Sequence, residues 1–168
     1  MSSPKVDLLI AHIDGARRYT RHLLEATDLA DWFRMPEGGV THVAWQVGHL
    51  AVAQYRLALW RVRGPRPEDG RLIPEPFQTT FGYGSVPSSD PADFPSIEEI
   101  QAVFDAVHRQ TLQELASLAD SDLDAPVERP THLFSTKQGA LLWCGQHEFL
   151  HAGQIGLIRR LLGKQPIM

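Results

Sequence analysis

Residues 136–162 read TKQGALLWCGQHEFLHAGQIGLIRRLL, a run without proline that is followed by Gly163 and, shortly after, by Pro166. That punctuation is how helices end. The apolar residues Leu141, Leu142, Phe149, Leu150, Ile155, Leu157, Leu161 and Leu162 fall on nearly every side of a helix with 3.6 residues per turn, which predicts a helix buried in a core. Ser135 and Gln138 have capping-box spacing at its start. A long buried helix needs other helices around it.

Three more are legible upstream. Leu8, Leu9, His12, Ile13, Ala16, Tyr19, Leu23 and Leu24 recur at intervals of three and four, which predicts a helix from about Val6 to Ala26. A second is expected from about His42 to Val62, with Thr41 as N-cap and Gly64-Pro65 as its stop. A third, from about Ile97 to Leu118, opens on a Ser96–Glu99 capping box. No segment alternates as a strand does. The expected fold is all-α, a four-helix bundle with long connecting loops, formed by a single domain over residues 1–168. The longest connection, Gly64 to Pro95, holds seven prolines and also Phe77, Phe81, Tyr83 and Phe94. Those aromatic residues can anchor it to the bundle, as a lid, as a pocket wall or as a purely structural crossover.

Within the last helix, His147-Glu148-Phe149-Leu150-His151 places two imidazoles on one face, one turn apart. Two buried imidazoles so close cannot both become cations cheaply, whereas a divalent metal accepts a lone pair from each neutral ring. The string also matches HExxH, the zinc-peptidase helix whose glutamate is a general base. Those peptidases usually draw a third ligand from further along the chain, and Ala152–Met168 contains no His, Asp, Glu or Cys. The peptidase reading therefore becomes a minor alternative, and a third ligand must lie upstream. His49 is the best candidate: Trp45 precedes it by one turn, and Gly48 beside it permits close helix approach. His12, His22, His42, His108 and His132 read as ordinary, partly exposed or capping residues.

The two motifs Trp45-x-x-Gly48-His49-Leu50 and His147-Glu148-x-x-His151-x-Gly153-Gln154-Ile155, about a hundred residues apart, resemble the DinB/YfiT-like family over nearly the whole chain. The resemblance implies a four-helix bundle, often a homodimer, with a divalent metal held by His49, His147 and His151. It also implies activities in which the metal activates a low-molecular-weight thiol for transfer or isomerisation. Many relatives carry a second histidine beside the last ligand, where this chain has Leu150.

Three histidines leave at least one coordination position for water or substrate, the mark of catalytic rather than structural sites. All-nitrogen ligation suits zinc or nickel, with iron and manganese as alternatives. Such an ion lowers the pKa of bound water, or holds a thiolate or carbonyl. Glu148 has two readings, a general base or brace at the metal and an interhelical ion-pair residue. Gln154 either lines the site or is an interior amide. The leading hypothesis is a metal-dependent transferase or hydrolase with a small-molecule substrate. A metal-binding stress protein in which the ion staples two helices stands beside it, and the peptidase comes last. A net charge of −4 without a continuous basic stripe argues against nucleic acid. The absence of a long apolar run argues against a membrane span. With Cys144 as the one cysteine, expected to be buried, a cytoplasmic protein is expected.

Overall fold

Proline at the first turn of α1 (Pro4–Glu25) sits where a helix has no use for an N–H. The amides of Lys5 and Val6 donate to the Asp120 carboxylate from across the bundle, each at 3.1 Å. The computed structural model describes residues 3–167. Helix α2 (Val43–Gln54) continues through a π-turn at Tyr55–Trp60 into a last turn at Arg61–Arg63. The short helices α3 (Asp69–Leu72) and α4 (Glu75–Phe81) lie in the crossover. Helices α5 (Ile97–Leu115) and α6 (Lys137–Leu161) complete the bundle. Helix α1 packs on α6 and α2 on α5, while α2 and α6, the two helices that carry the histidine motifs, touch each other. Among the described residues no strand forms, and no helix is long and apolar enough to cross a membrane.

The Ser96–Glu99 capping box is present, with Glu99 N–H donating to Ser96 Oγ at 3.2 Å and Ser96 N–H to Glu99 Oε2 at 2.9 Å. The other two caps differ from expectation by one residue. His42 caps α2, its Nδ1 accepting from the Trp45 amide at 3.1 Å, and Thr41 Oγ1 accepts from the Gln46 side chain instead. Thr136 rather than Ser135 caps α6, accepting from Gly139 N–H at 3.2 Å.

Two apolar clusters fill the interior. One gathers Leu23, Trp32, Val47, Leu50, Phe81, Phe104 and Ile155; the other gathers Leu9, Ile13, Leu57, Leu115, Leu141 and Cys144. A polar layer divides them. Arg17, fully buried, donates from Nε and Nη2 to the two oxygens of Glu148 at 2.7 and 3.2 Å, from Nη2 to Gln54 Oε1 at 2.7 Å, and from Nη1 to the Phe104 carbonyl at 2.8 Å. Its guanidinium also lies 3.4 Å from the centre of the Phe104 ring. Gln54 then donates to His108 Nδ1 at 3.1 Å, and His108 Nε2 to Asp14 at 3.2 Å. His108, expected to be partly exposed, is buried here and held neutral first by that burial. The layer satisfies its own hydrogen bonds, which is the condition for burying charge at all.

Helix α6 departs from the expectation of burial all round. Leu142, Phe149, Leu150, Leu157 and Leu161 are exposed along one side of it. Gln154, for which an interior amide is one of the two readings, is exposed as well. In the crossover Phe77 and Phe81 are buried and Phe94 half-buried, whereas Tyr83 is 96% exposed and anchors nothing.

Candidate metal centre

Position i and i+4 geometry brings His147 and His151 of α6 together, with ring centroids 4.5 Å apart. His49 of α2 meets both, at 5.4 Å from His147 and 4.7 Å from His151. One ligand nitrogen from each ring lies within 4.8 Å of the others. In a tetrahedral site with zinc–nitrogen bonds of about 2.0–2.1 Å the nitrogens stand about 3.4 Å apart, so small side-chain rotations close the remaining distance. Among the described residues this is the group of three suited to a metal, and it fits one.

The neighbours of these rings decide which nitrogen faces inward. His49 Nδ1–H donates to the Phe81 carbonyl at 2.8 Å, leaving Nε2 as the lone-pair nitrogen. His151 Nδ1–H donates to Gln46 Oε1 at 2.5 Å, and the orientation of that amide is set by its own donation to Thr41 Oγ1 at 3.1 Å. Trp45 stacks on His49 at 4.8 Å, nearly parallel, and its indole N–H donates to Ser85 Oγ at 3.1 Å. Trp143 meets His147 edge-on. Phe81 reaches its position because residue 48 is glycine: a Cβ there would lie 2.4 Å from the Phe81 ring. The close approach that Gly48 permits is thus with the crossover, which serves as a wall of the site.

Burial holds the imidazoles neutral. It lowers His49 first, with the Arg56 charge adding to the effect. His147 falls to about 4 through burial and the neighbouring His49, and His151 to about 3 through burial and both other histidines. Neutral rings are the form that binds a metal. The same shifts predict acid sensitivity of the metal-free protein. Below an ordinary histidine pKa of about 6.5 the unfolded chain takes up protons that the folded chain refuses, so stability falls as pH drops toward about 4 for His147 and about 3 for His151. Urea unfolding between pH 7 and 4.5 should show this slope, and the His147→Ala/His151→Ala double variant should flatten it. An unchanged slope would refute the assignment, since His42 and His108, also lowered by burial, remain in both proteins.

Glu148 lies away from the three nitrogens, with both oxygens on Arg17. This geometry favours the interhelical ion pair over the general-base reading. The exposed Gln154, close to His151 on the same helix, works against the lowering of its pKa. Leu150 points outward at 57% exposure. Gln46 and the Phe81 carbonyl were not anticipated. Gln46 carried a signal, being a polar residue in the apolar run of α2; a backbone carbonyl carries none.

A family model described as the DinB superfamily matches residues 12–155, a span that includes all three histidines and the four bundle helices for most of their length. The chain belongs to the DinB superfamily. No curated protein matches the chain. As a DinB-superfamily protein with three convergent histidines, it has the makings of a metal-binding protein.

Proposed function

We propose that this DinB-superfamily chain is a divalent-metal-dependent enzyme acting on a small molecule, a transferase or hydrolase, with His49, His147 and His151 as the ligands. The observation that carries the reading is a set of three neutral imidazoles, two of them oriented by hydrogen bonds, with no carboxylate or thiolate in the group. When bound, a divalent ion supplies Lewis-acid chemistry to a water, a thiol or a carbonyl. The protein's share is to hold His49 and His151 in the right tautomer, through the Phe81 carbonyl and Gln46, and to restrict water with Trp45 and Trp143. A low-molecular-weight thiol is the substrate partner that the family resemblance favours, and zinc or nickel the metal. Metal analysis of the purified protein, followed by thiol-conjugation and hydrolase panels with and without chelator, tests this. Turnover that chelator removes and added metal restores supports it; a metal-loaded protein inert to every panel favours the ion as a structural staple, as would collapse of the fold in chelator.

We also propose a homodimer built on α6. Leu142, Phe149, Leu150, Leu157 and Leu161 form an apolar side too large for a solvated helix. Gly153 and Gly156 have open space where a Cβ would stand, although glycine inside a helix costs about 1 kcal/mol relative to alanine. Close approach of a second α6 accounts for both features, and a two-fold contact is self-complementary. Sedimentation should give twice the chain mass, and Leu157→Glu should return the monomer; a monomeric wild type would sink the idea.

A further inference from the structure

The π-turn at Tyr55–Trp60 adds about one residue to the 3.6 of an ordinary helical turn, so residues four and five apart flank one line. In an uninterrupted α-helix Arg61 would point about 140° away from Arg56; here Arg56, Trp60 and Arg61 line the same groove. Arg129, from the loop before α6, joins them with Tyr55 and Gln78, and the groove has a volume of about 310 Å³. The Arg129 guanidinium stands 5.1 Å and that of Arg61 6.0 Å from the centre of the Trp60 ring. Arg61 Nε donates to the Arg129 carbonyl at 3.2 Å, which ties the loop to the helix.

This is a concentration of positive charge without its own counterion. Among the described residues none of the three arginines makes an ion pair. Burial, then the charges of Arg56 and Arg129, lower the Arg61 pKa. Tyr55 Oη donates to Asp69 at 3.0 Å and Gln78 Nε2 to the Ile73 carbonyl at 3.1 Å, so both have partners of their own. Glu128, next to Arg129 in sequence, has its carboxylate beside Gly64. Planar guanidinium forks match the oxygens of phosphate and carboxylate two at a time, and an oxyanion among them would offset their mutual repulsion.

We propose that this groove binds the phosphate or carboxylate end of a small-molecule ligand. Arg56 follows His49 by seven residues, on the same helix face and about 10 Å along the axis, and its charge is felt at His49. A ligand seated in the groove is therefore within reach of the histidine centre, a step that alone rests on the metal-dependent reading above.

Calorimetric titration of the metal-loaded full chain at low ionic strength, with inorganic phosphate and separately with succinate, tests the site. The expected result is one anion per chain, with affinity at least tenfold weaker in an Arg61→Gln/Arg129→Gln variant that keeps the wild-type melting temperature and metal content. Tighter phosphate than succinate assigns a phosphorylated ligand, and the reverse order a carboxylate. His49→Ala, which removes a metal ligand, should leave the anion affinity unchanged. Should the double variant fold poorly, Arg56→Gln, at an exposed position, repeats the test with one charge removed. The proposal is overturned by the absence of saturable binding of either anion or by wild-type affinity in the arginine variants. Binding lost in His49→Ala but kept in the arginine variants would belong to the metal, and would overturn it too.

Discussion

Glu148→Ala is expected to destabilise the fold by about 3–5 kcal/mol, the usual cost of leaving one member of a buried ion pair alone. The orphan would be Arg17, fully buried and with Glu148 as its ion-pair partner. Gln54, the Phe104 carbonyl and the Phe104 ring would still contact the guanidinium, but none of them carries a compensating charge. Against a total domain stability of about 5–15 kcal/mol the loss is severe. Equilibrium denaturation reads it directly, and a decisive control is Arg17→Met with Glu148→Leu. Replacing the whole pair with apolar side chains should recover most of the loss, because the penalty lies in the unpaired charge rather than in the absence of the bridge. A Glu148→Gln protein of near wild-type stability that retains metal but loses all turnover would instead restore the general-base reading.

His147→Ala is expected to weaken metal affinity by more than about a hundredfold, beyond the 10- to 100-fold typical of losing an outer-shell partner. His147 belongs to the group of three ring nitrogens, whereas Gln46 touches only the back of His151. Gln46→Ala should accordingly fall inside that 10- to 100-fold range. Competition titrations against a chelator of known affinity rank the two variants, and equal metal content in wild type and His147→Ala would remove His147 from the site. Removing a ligand also removes the stabilisation that bound metal lends the folded state, about 2.7 kcal/mol at a free concentration one hundred times Kd. The melting temperature of the variant should therefore stop responding to added metal.

The four bundle helices and the His147–His151 pair were legible because each depends on local periodicity. The i, i+4 relation holds wherever that segment is helical, and Gly163 and Ser96 mark helix ends by backbone chemistry alone. His49 was reachable from the empty tail after His151 together with the family resemblance. The caps at His42 and Thr136 missed by one residue because several neighbouring side chains can satisfy the same amides. Burial of α6 was overestimated, since an apolar residue on the outer side of a helix and one that faces the core read alike in sequence.

Local spacing therefore carried the class, the helices and the His147–His151 pair, while His49 joined them as a candidate ligand through the tail after His151 and the family resemblance. Tertiary structure decided the rest: that Glu148 meets Arg17 from another helix, that Gln46 and the Phe81 carbonyl turn two imidazoles toward one point, and that a π-turn gathers Arg56 and Arg61 beside Arg129. These are pairings between residues 17 and 148, 46 and 151, or 61 and 129. Contacts across such separations follow from how helices dock, and no periodicity within a helix encodes which partner it will meet.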